Sequence, residues 1–275
     1  MTHHPALSSG NVAVITGGAD GIGLAAAHYY RSIGMDVCIA DVDAEKLEQA
    51  RGKLGDILTV VTDVSQQSSV ENLKQRAYER YGRADVLMNN AGVAMQCGSW
   101  NDYEAWKTVL DTNLWGVING IHSFVPDMIK QGTPGLIINT GSKQGITTPP
   151  GNPAYNASKA GVKAVTEALQ HNLRNTTDCH ISAHMLVPGF TYTGMIKKFL
   201  AEKPEGAWTP EQVVAYMVES LAKGDFYILC PDNDTTRELD NKRMAWAMGD
   251  LIENRPPLSR WHADYQTAYA QFIQD

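Results

Sequence analysis

The chain has 275 residues, of which 43% are hydrophobic and 19% are charged, and its formal net charge is −7. This composition is typical of a globular protein with a large core, and no cluster of Lys and Arg offers a basic face to nucleic acid. No run approaches the roughly 18 apolar residues that a membrane span needs, and the N-terminus lacks the apolar segment of a secretory signal. The scattered cysteines have no zinc-ligand spacing, so we expect a reduced, cytoplasmic protein without a metal site.

Short apolar runs alternate with longer amphipathic segments along the chain. This alternation predicts one doubly wound α/β fold, with a parallel sheet and helices on both of its faces. The predicted strands are 12–15, 37–40, 58–61, 86–88, 135–139, 181–186 and 226–229. The predicted helices are 24–32, 44–54, 67–81, 103–130, 154–175, 210–223, 235–251 and 261–273.

A glycine-rich turn over 16–23 connects the first predicted strand to the first predicted helix, with Gly17, Gly21 and Gly23 around Ile22. Missing side chains let the backbone approach a ligand, and a helix N-terminus favours negative charge. The turn therefore predicts a binding site for the phosphates of a dinucleotide. The alternative is a tight strand-to-helix connection that binds nothing.

Acidic residues follow the first two predicted strands and bear on which dinucleotide is bound. Asp41 ends the second strand, where a carboxylate can accept hydrogen bonds from ribose hydroxyls and repel a 2′-phosphate. Asp20 is also acidic, at a place where a 2′-phosphate site would favour Lys or Arg. Both acids favour NAD over NADP, although Asp41 could instead be a surface carboxylate. Asp63, followed by Val64, either approaches the adenine or caps the next helix.

Tyr155 and Lys159 are four residues apart in a predicted helix, so their side chains share one face. A nearby ammonium favours the phenolate and lowers the pKa of a tyrosine, which makes it a usable base. Ser142 ends a predicted strand, where its hydroxyl can hydrogen-bond a carbonyl or alkoxide oxygen. Such a Tyr–Lys pair alone is common on solvated helices, and its weight here comes from the other motifs.

Together these motifs resemble the classical short-chain dehydrogenase/reductase family over about 11–193. The resemblance rests on the order and spacing of the glycine turn, 63–64, 89–92, Asn113, Ser142, Tyr155, Lys159 and 188–189. It implies a single Rossmann-type domain over 1–275, with a dinucleotide-binding and catalytic core over 11–230. We further expect a substrate lid over 190–210 and a helical C-terminal extension over 231–275.

The resemblance also implies a role for each matching residue. Tyr155 is the expected acid/base, Lys159 binds the nicotinamide ribose and lowers the Tyr155 pKa, and Ser142 orients the substrate oxygen. Asn113 is expected to hold a water that relays protons from Lys159. The remaining expected cofactor contacts are Asn90, Ala91, Gly92, Pro188, Gly189, Thr191 and Thr193.

The implied function is NAD-dependent interconversion of a secondary alcohol and its ketone by hydride transfer. Epimerisation or dehydration with retained cofactor, and an NAD-sensing protein without turnover, are the alternatives. A homo-oligomer is expected, with neither nucleic acid nor membrane as a partner. Two features depart from the family: Thr191 replaces a usual Val or Ile, and a long aromatic tail replaces the usual glycine-rich turn after the last strand.

The expected substrate pocket is mostly apolar and has no cation to grip an anion, with Lys143 predicted to point to solvent. We therefore expect a neutral, hydrophobic alcohol. The candidate pocket residues are Met95, Gln144, Ile146, Phe190, Tyr192, Met195 and Phe199.

Overall fold

The computed structural model describes residues 4–197 and 200–274. Within these residues seven parallel strands form one sheet, in the order β3-β2-β1-β4-β5-β6-β7. The strands are β1 Val12–Thr16, β2 Asp36–Asp41, β3 Leu58–Val61, β4 Val86–Asn89, β5 Gly135–Thr140, β6 Ile181–Val187 and β7 Tyr227–Leu229. Each predicted strand is present, with ends shifted by one residue at most.

The helices follow the predicted alternation with the strands. They are α1 Gly21–Ser32, α2 Ala44–Leu54, α3 Gln67–Tyr81, α4 Tyr103–Leu110, α5 Gly116–Gln131, α6 Gln144–Thr147, α7 Pro153–Arg174, α8 Gly194–Lys197, α9 Pro210–Lys223, α10 Arg237–Ile252 and α11 Gln266–Phe272. The prediction of one helix over 103–130 missed a π-helical segment, Asp111–Trp115, between α4 and α5. It also missed the four-residue helices α6 and α8, which are too short to show a periodic pattern.

The central strands β1 and β4 are buried on both faces of the sheet, which explains why they are almost wholly apolar. Ala13 and Ile15 of β1 pack with α1, α2 and α9, whereas Val14 packs on the other face with α3, α5 and α7. No helix among the described residues is both long and apolar enough to cross a bilayer.

The strand order reverses at the centre of the sheet, because β1 lies between β2 and β4. Successive connections leave this point toward opposite edges, and a crevice opens at the carboxyl ends of the strands. The glycine turn that follows β1 and residues 90–92 that follow β4 therefore meet at this crevice.

The C-terminal extension is more irregular than the predicted pair of helices. Two 3-10 turns, Ser259–Trp261 and Ala263–Tyr265, precede the short α11. Trp246 of α10 is buried against the rings of Tyr269 and Phe272, with centroids 5.3 and 5.2 Å away. These aromatics thus pack on one another within the extension.

Candidate active site

The glycine turn forms a close-packed cradle between β1 and α1. Gly17 has a φ of +61°, and a Cβ there would lie 2.8 Å from the Cα of Ala91. A Cβ on Gly23 would lie 2.2 Å from the Gly17 carbonyl oxygen. Any larger residue would therefore push the turn away from α1 or from the residues after β4.

A cavity of about 720 Å³ extends from this turn to α7 along the carboxyl ends of the strands. Its size suits an elongated small-molecule ligand. Most of the predicted cofactor and catalytic residues line this cavity. Gly23 and Asn113 are the predicted residues that do not contribute to its lining. The predicted residues in the lining are Gly17, Asp20, Gly21, Ile22, Asp41, Asp63, Val64, Asn90, Ala91, Gly92, Ser142, Tyr155, Lys159, Pro188, Gly189, Thr191 and Thr193.

The end of the cavity near β2 is acidic. Asp41 accepts a hydrogen bond from the Ala19 N–H (3.3 Å), and Asp20 caps α1 by accepting from the Gly21 N–H (2.7 Å). Lys46 of α2 donates to the other Asp20 oxygen at 3.1 Å. The hydrogen bond with Asp20 raises the pKa of Lys46, and Asp41 and Asp43 add to that effect against burial. Among the described residues at this end of the cavity, Lys46 is thus the one cation and lies near three carboxylates.

Asp63 lines the cavity but does not cap α3, whose N-cap residue is Gln66 and which has no side-chain capping hydrogen bond among the described residues. The Asp63 Oδ1 accepts from the Ser65 N–H (3.0 Å) and hydroxyl (2.7 Å) just before α3. Val64 is buried against α5, where the Asn119 amide donates to its carbonyl at 2.8 Å.

Asn90 connects the glycine turn to the neighbouring strand. Its amide nitrogen donates to the carbonyls of Thr16 and Gly17, each at 3.2 Å. Its Oδ1 accepts from the Thr140 hydroxyl at 3.3 Å. Through these hydrogen bonds the Asn90 side chain holds the glycine turn in place, and it also lines the cavity.

Tyr155 and Lys159 lie on one face of α7 at the inner end of the cavity. Asn152 caps this helix by accepting from the Tyr155 N–H at 3.3 Å, and proline at the first helical position fits the helix start. The Lys159 Nζ lies 5.7 Å from the Tyr155 ring centroid and donates to the Thr140 carbonyl at 2.8 Å. Both side chains are thereby held at the end of β5.

The electrostatics of this pair are set by burial. Burial lowers the pKa of Lys159 from 10.5 to about 8. Burial raises the pKa of Tyr155, and a side-chain hydrogen bond with Ser142 opposes that rise. Ser142 lines the same cavity as Tyr155, and its Oγ accepts from the Gln144 N–H at 3.2 Å.

Asn113 lies in the π-helical segment and is fully buried. Its Oδ1 accepts from the Val93 N–H (2.7 Å), and its amide donates to the Val93 carbonyl (2.9 Å) and the Ser158 hydroxyl (3.1 Å). A Cβ on Gly92 would lie 3.3 Å from the Asn113 Oδ1 and 3.6 Å from the Lys159 Nζ. A larger residue at position 92 would therefore occupy the space between these two side chains.

The structure places only some of the predicted substrate residues in the large cavity. Gln144, Phe190 and Met195 line the large cavity, whereas Ile146 lines a smaller neighbouring cavity. Met95 is 41% exposed and lies outside both linings. The Tyr192 hydroxyl donates to the carbonyls of Leu200 and Ala201, so this side chain stabilises the segment that we expect to form the lid. Phe199 lies outside the described residues.

The prediction that Lys143 points to solvent is wrong. Its side chain is only 18% exposed and forms salt bridges with Asp232 (3.3 Å) and Asp240 (2.6 Å) of the C-terminal extension. Asp232 also accepts from the Phe190 N–H at 3.2 Å. These partners lie 89 and 97 residues further along the chain, so no local pattern identified them.

The residues present fit a nicotinamide dinucleotide. The glycine cradle admits a backbone-bound diphosphate, the carboxylates near β2 suit ribose hydroxyls, and the Tyr–Lys pair lies at the far end. Gly17, Asp41, Asn90 and Lys159 would hold such a molecule along the cavity.

Comparison with known proteins agrees with this fit. Residues 11–204 match the sequence profile of the family described as short chain dehydrogenase. The chain is 30% identical over 265 residues to 1-deoxy-11-beta-hydroxypentalenate dehydrogenase of Streptomyces exfoliatus, covering 93% of this chain and 95% of that one. It is 34% identical over 200 residues to 3beta-hydroxysteroid dehydrogenase 2 of Eggerthella lenta, covering 70% and 75%.

Among solved structures, a short chain dehydrogenase/reductase from Burkholderia phymatum in complex with NAD is similar throughout its length. Its TM-score is 0.83 at 30% identity, and the match covers 94% of this chain and 98% of that one. The profile match, the relatives and this structure agree with the fold and the cavity. The chain therefore belongs to the short-chain dehydrogenase/reductase family of oxidoreductases.

Proposed function

We propose that this protein is an NAD-dependent dehydrogenase/reductase that interconverts a secondary alcohol and its ketone. The observation that carries the proposal is the position of Tyr155, Lys159 and Ser142 at one end of a cavity whose other end is the glycine turn. A proton-transferring group and a dinucleotide cradle thus share one continuous space.

The proposed chemistry divides between the cofactor and the chain. A bound nicotinamide would supply the acceptor or donor of the hydride. The Tyr155 oxygen takes the proton from the substrate hydroxyl during oxidation and returns it during reduction. Ser142 donates a hydrogen bond to the same substrate oxygen and keeps it beside the tyrosine.

Lys159 and Asn113 support the proton transfer. The Lys159 ammonium favours the Tyr155 phenolate, because an opposite charge stabilises the ionised form. Space beside Gly92 separates Lys159 from the Asn113 amide oxygen. We propose that a water there passes the proton from Lys159 toward solvent.

The charges near β2 support NAD rather than NADP. Asp20, Asp41 and Asp43 outnumber Lys46, so a 2′-phosphate would meet net negative charge. We expect fluorescence titrations to show tighter binding of NADH than of NADPH. In Asp41→Ala the difference between these two affinities should be smaller. Tighter binding of NADPH by the unaltered protein would contradict the cofactor assignment.

The substrate is proposed to be a neutral, hydrophobic alcohol. Phe190, Met195 and Ile196 supply apolar surface to the cavity beside Gln144. The name of one relative reported above describes a dehydrogenase of a hydroxysteroid, whereas the name of the other describes a dehydrogenase of a hydroxylated carboxylate. A bulky, largely apolar ring system matches this lining.

A screen of secondary alcohols with NAD, followed by NADH absorbance, tests the proposed reaction. Stoichiometric NADH formation supports a dehydrogenase. Conversion without net NADH would indicate epimerisation or dehydration, and binding of NAD without any turnover would indicate a sensor. A preference for sugars would contradict the proposed substrate class.

We also propose a homo-oligomer that forms through α4 and its surroundings. Trp100, Tyr103 and Trp115 are 93%, 77% and 52% exposed, which is costly for large aromatics in water. Sedimentation of the purified protein tests this proposed oligomer directly.

We also propose that the protein is cytoplasmic, and its free cysteines fit that compartment.

A further inference from the structure

A second, smaller cavity lies on the far side of Lys143 from the glycine turn. Its volume is about 50 Å³, and Lys143 is the one residue that lines both cavities. This volume accommodates a few water molecules or one carboxylate group, but not a sugar ring or a nucleotide. Its apolar walls include Ile146, Leu229 and Met244.

The charged lining of this small cavity is predominantly cationic. Lys143, Arg243 and Arg260 face it together with one acid, Asp240. Asp232 also pairs with Lys143, so the whole cluster retains one excess positive charge. Burial of excess charge is costly unless a counter-ion is present.

The two arginines have unused hydrogen-bonding capacity. Arg243 donates through Nη1 to the Thr235 hydroxyl at 3.1 Å, while its buried Nε has no hydrogen-bond partner among the described residues. Arg260 forms no salt bridge within 4–197 and 200–274, and its guanidinium packs 4.8 Å from the Trp261 ring centroid and 5.3 Å from that of Tyr269. Guanidinium groups held in this way suit a planar, bidentate anion.

The pKa of Arg260 reflects the same surroundings. Burial lowers it most, and the neighbouring Arg243 lowers it further, against the effects of Tyr269 and Asp240. An anion between the two guanidinium groups would relieve both unfavourable contributions.

We propose that this small cavity is a binding site for a carboxylate, held by Arg243 and Arg260 and flanked by Lys143. The site is separate from the hydride-transfer centre, and its binding test does not depend on the proposed function. The carboxylate has two possible sources, a free small acid or an acidic group on a substrate in the adjoining large cavity, and the second source would replace the neutral substrate proposed above.

Titration calorimetry of the full-length protein with sodium formate, at constant ionic strength, tests the proposal. We expect saturable binding that weakens by about tenfold or more in Arg243→Gln and in Arg260→Met, since a charge-assisted hydrogen bond is lost. Arg237→Gln is the matched control, because it removes an exposed cation from the start of the same helix. Urea unfolding verifies that each variant is folded.

Kinetics with a hydroxy acid and its methyl ester then identify the source of the carboxylate, and this arm alone rests on the proposed function. A KM increase for the acid but not the ester in Arg243→Gln would assign the carboxylate to the substrate. Loss of formate binding with both KM values unchanged would assign it to a free acid. The proposal is overturned if the unaltered protein shows no saturable formate binding. It is also overturned if both arginine variants bind formate with the same affinity as the unaltered protein.

Discussion

Lys159 is buried under the Tyr155 ring, and its charge has no carboxylate partner among the described residues. Its ammonium is held by a neutral carbonyl alone, which explains why burial dominates its pKa. The same lysine must carry a charge to favour the phenolate. The residue therefore combines a functional benefit with a cost in stability.

This cost predicts a pH-dependent stability. The folded pKa of about 8 lies below the ordinary 10.5, so between these values the unfolded chain holds a proton that the folded protein has released. The contribution of Lys159 to the free energy of unfolding therefore rises as the pH increases from about 8 to 10.5. The same contribution is lost as the pH falls back through that window to about 8. Relative to Lys159→Met, the free energy of unfolding should increase by on the order of 1–2 kcal/mol between about pH 7.5 and about pH 9.5.

Urea unfolding at both pH values measures this difference. Lys163→Met is the control, because Lys163 lies one turn further along α7 and pairs with Glu167 at the surface. This control should keep the pH dependence of the unaltered protein. Identical pH dependence in Lys159→Met would show that the lysine is not buried as the structure has it.

At the level of single residues, the sequence identified side chains whose chemistry belongs to a local motif. Tyr155 and Lys159 share a helix face, so their proximity followed from spacing alone. Lys143 was misplaced because its partners, Asp232 and Asp240, belong to an extension without a family pattern. Salt bridges between distant segments depend on tertiary packing, which spacing does not encode.

The segment that we expect to form a substrate lid, called the lid below, contacts the glycine turn directly at Thr193 and Gly194. A Cβ on Gly21 would lie 3.1 Å from the Thr193 side chain, and a Cβ on Gly194 would lie 1.9 Å from the Asp20 Oδ2. Asp20 already caps α1 and accepts from Lys46. The lid, the turn and α2 are therefore coupled through one carboxylate.

Gly194→Ala should weaken cofactor binding by roughly five- to tenfold, because Asp20 must give up a cap or ion-pair hydrogen bond worth about 1 kcal/mol. NADH fluorescence titration measures the change. Gly52→Ala on α2 is the control, since a Cβ there would meet no atom within 4 Å. Unchanged NADH affinity in Gly194→Ala would show that the lid does not close on Asp20.

Elements with a strong hydrophobic period were predictable, and those defined by local geometry were not. The bounds of α2, α3 and α9 agree with the prediction, since each has an amphipathic face and a glycine after its last residue. The residue types in the π-helical segment around Asn113 do not distinguish it from an α-helix. The side chain of Asn113 hydrogen-bonds the backbone of Val93 across the site, and periodicity does not reveal such a contact.

On the scale of the whole molecule, the C-terminal extension packs against two residues that line the large cavity, Lys143 and Phe190. Asp232 accepts hydrogen bonds from both Lys143 and the Phe190 N–H, joining the loop that carries Ser142 to the start of the lid. Burial raises the pKa of Asp232, but these two donors outweigh it, and the net pKa is lowered. A charged carboxylate thus connects three parts of the chain.

Asp232→Asn should lower kcat/KM by about tenfold, mainly through KM, because the weakened contacts release the lid from the Ser142 loop. Steady-state kinetics with the substrate found in the alcohol screen measure this effect. Asp264→Asn, at an exposed position of the same extension, should leave kcat/KM unchanged. An unaltered KM in Asp232→Asn would separate the extension from substrate binding.

The most direct test of the proposed chemistry is the turnover of Tyr155→Phe with NAD and that same substrate. The substitution removes only the hydroxyl that would take the substrate proton, and the ring continues to pack over Lys159. We predict that NADH affinity is retained while kcat falls by about 10³-fold, within the range expected for a lost acid/base group. Turnover of Tyr155→Phe at the rate of the unaltered protein would contradict the assigned mechanism.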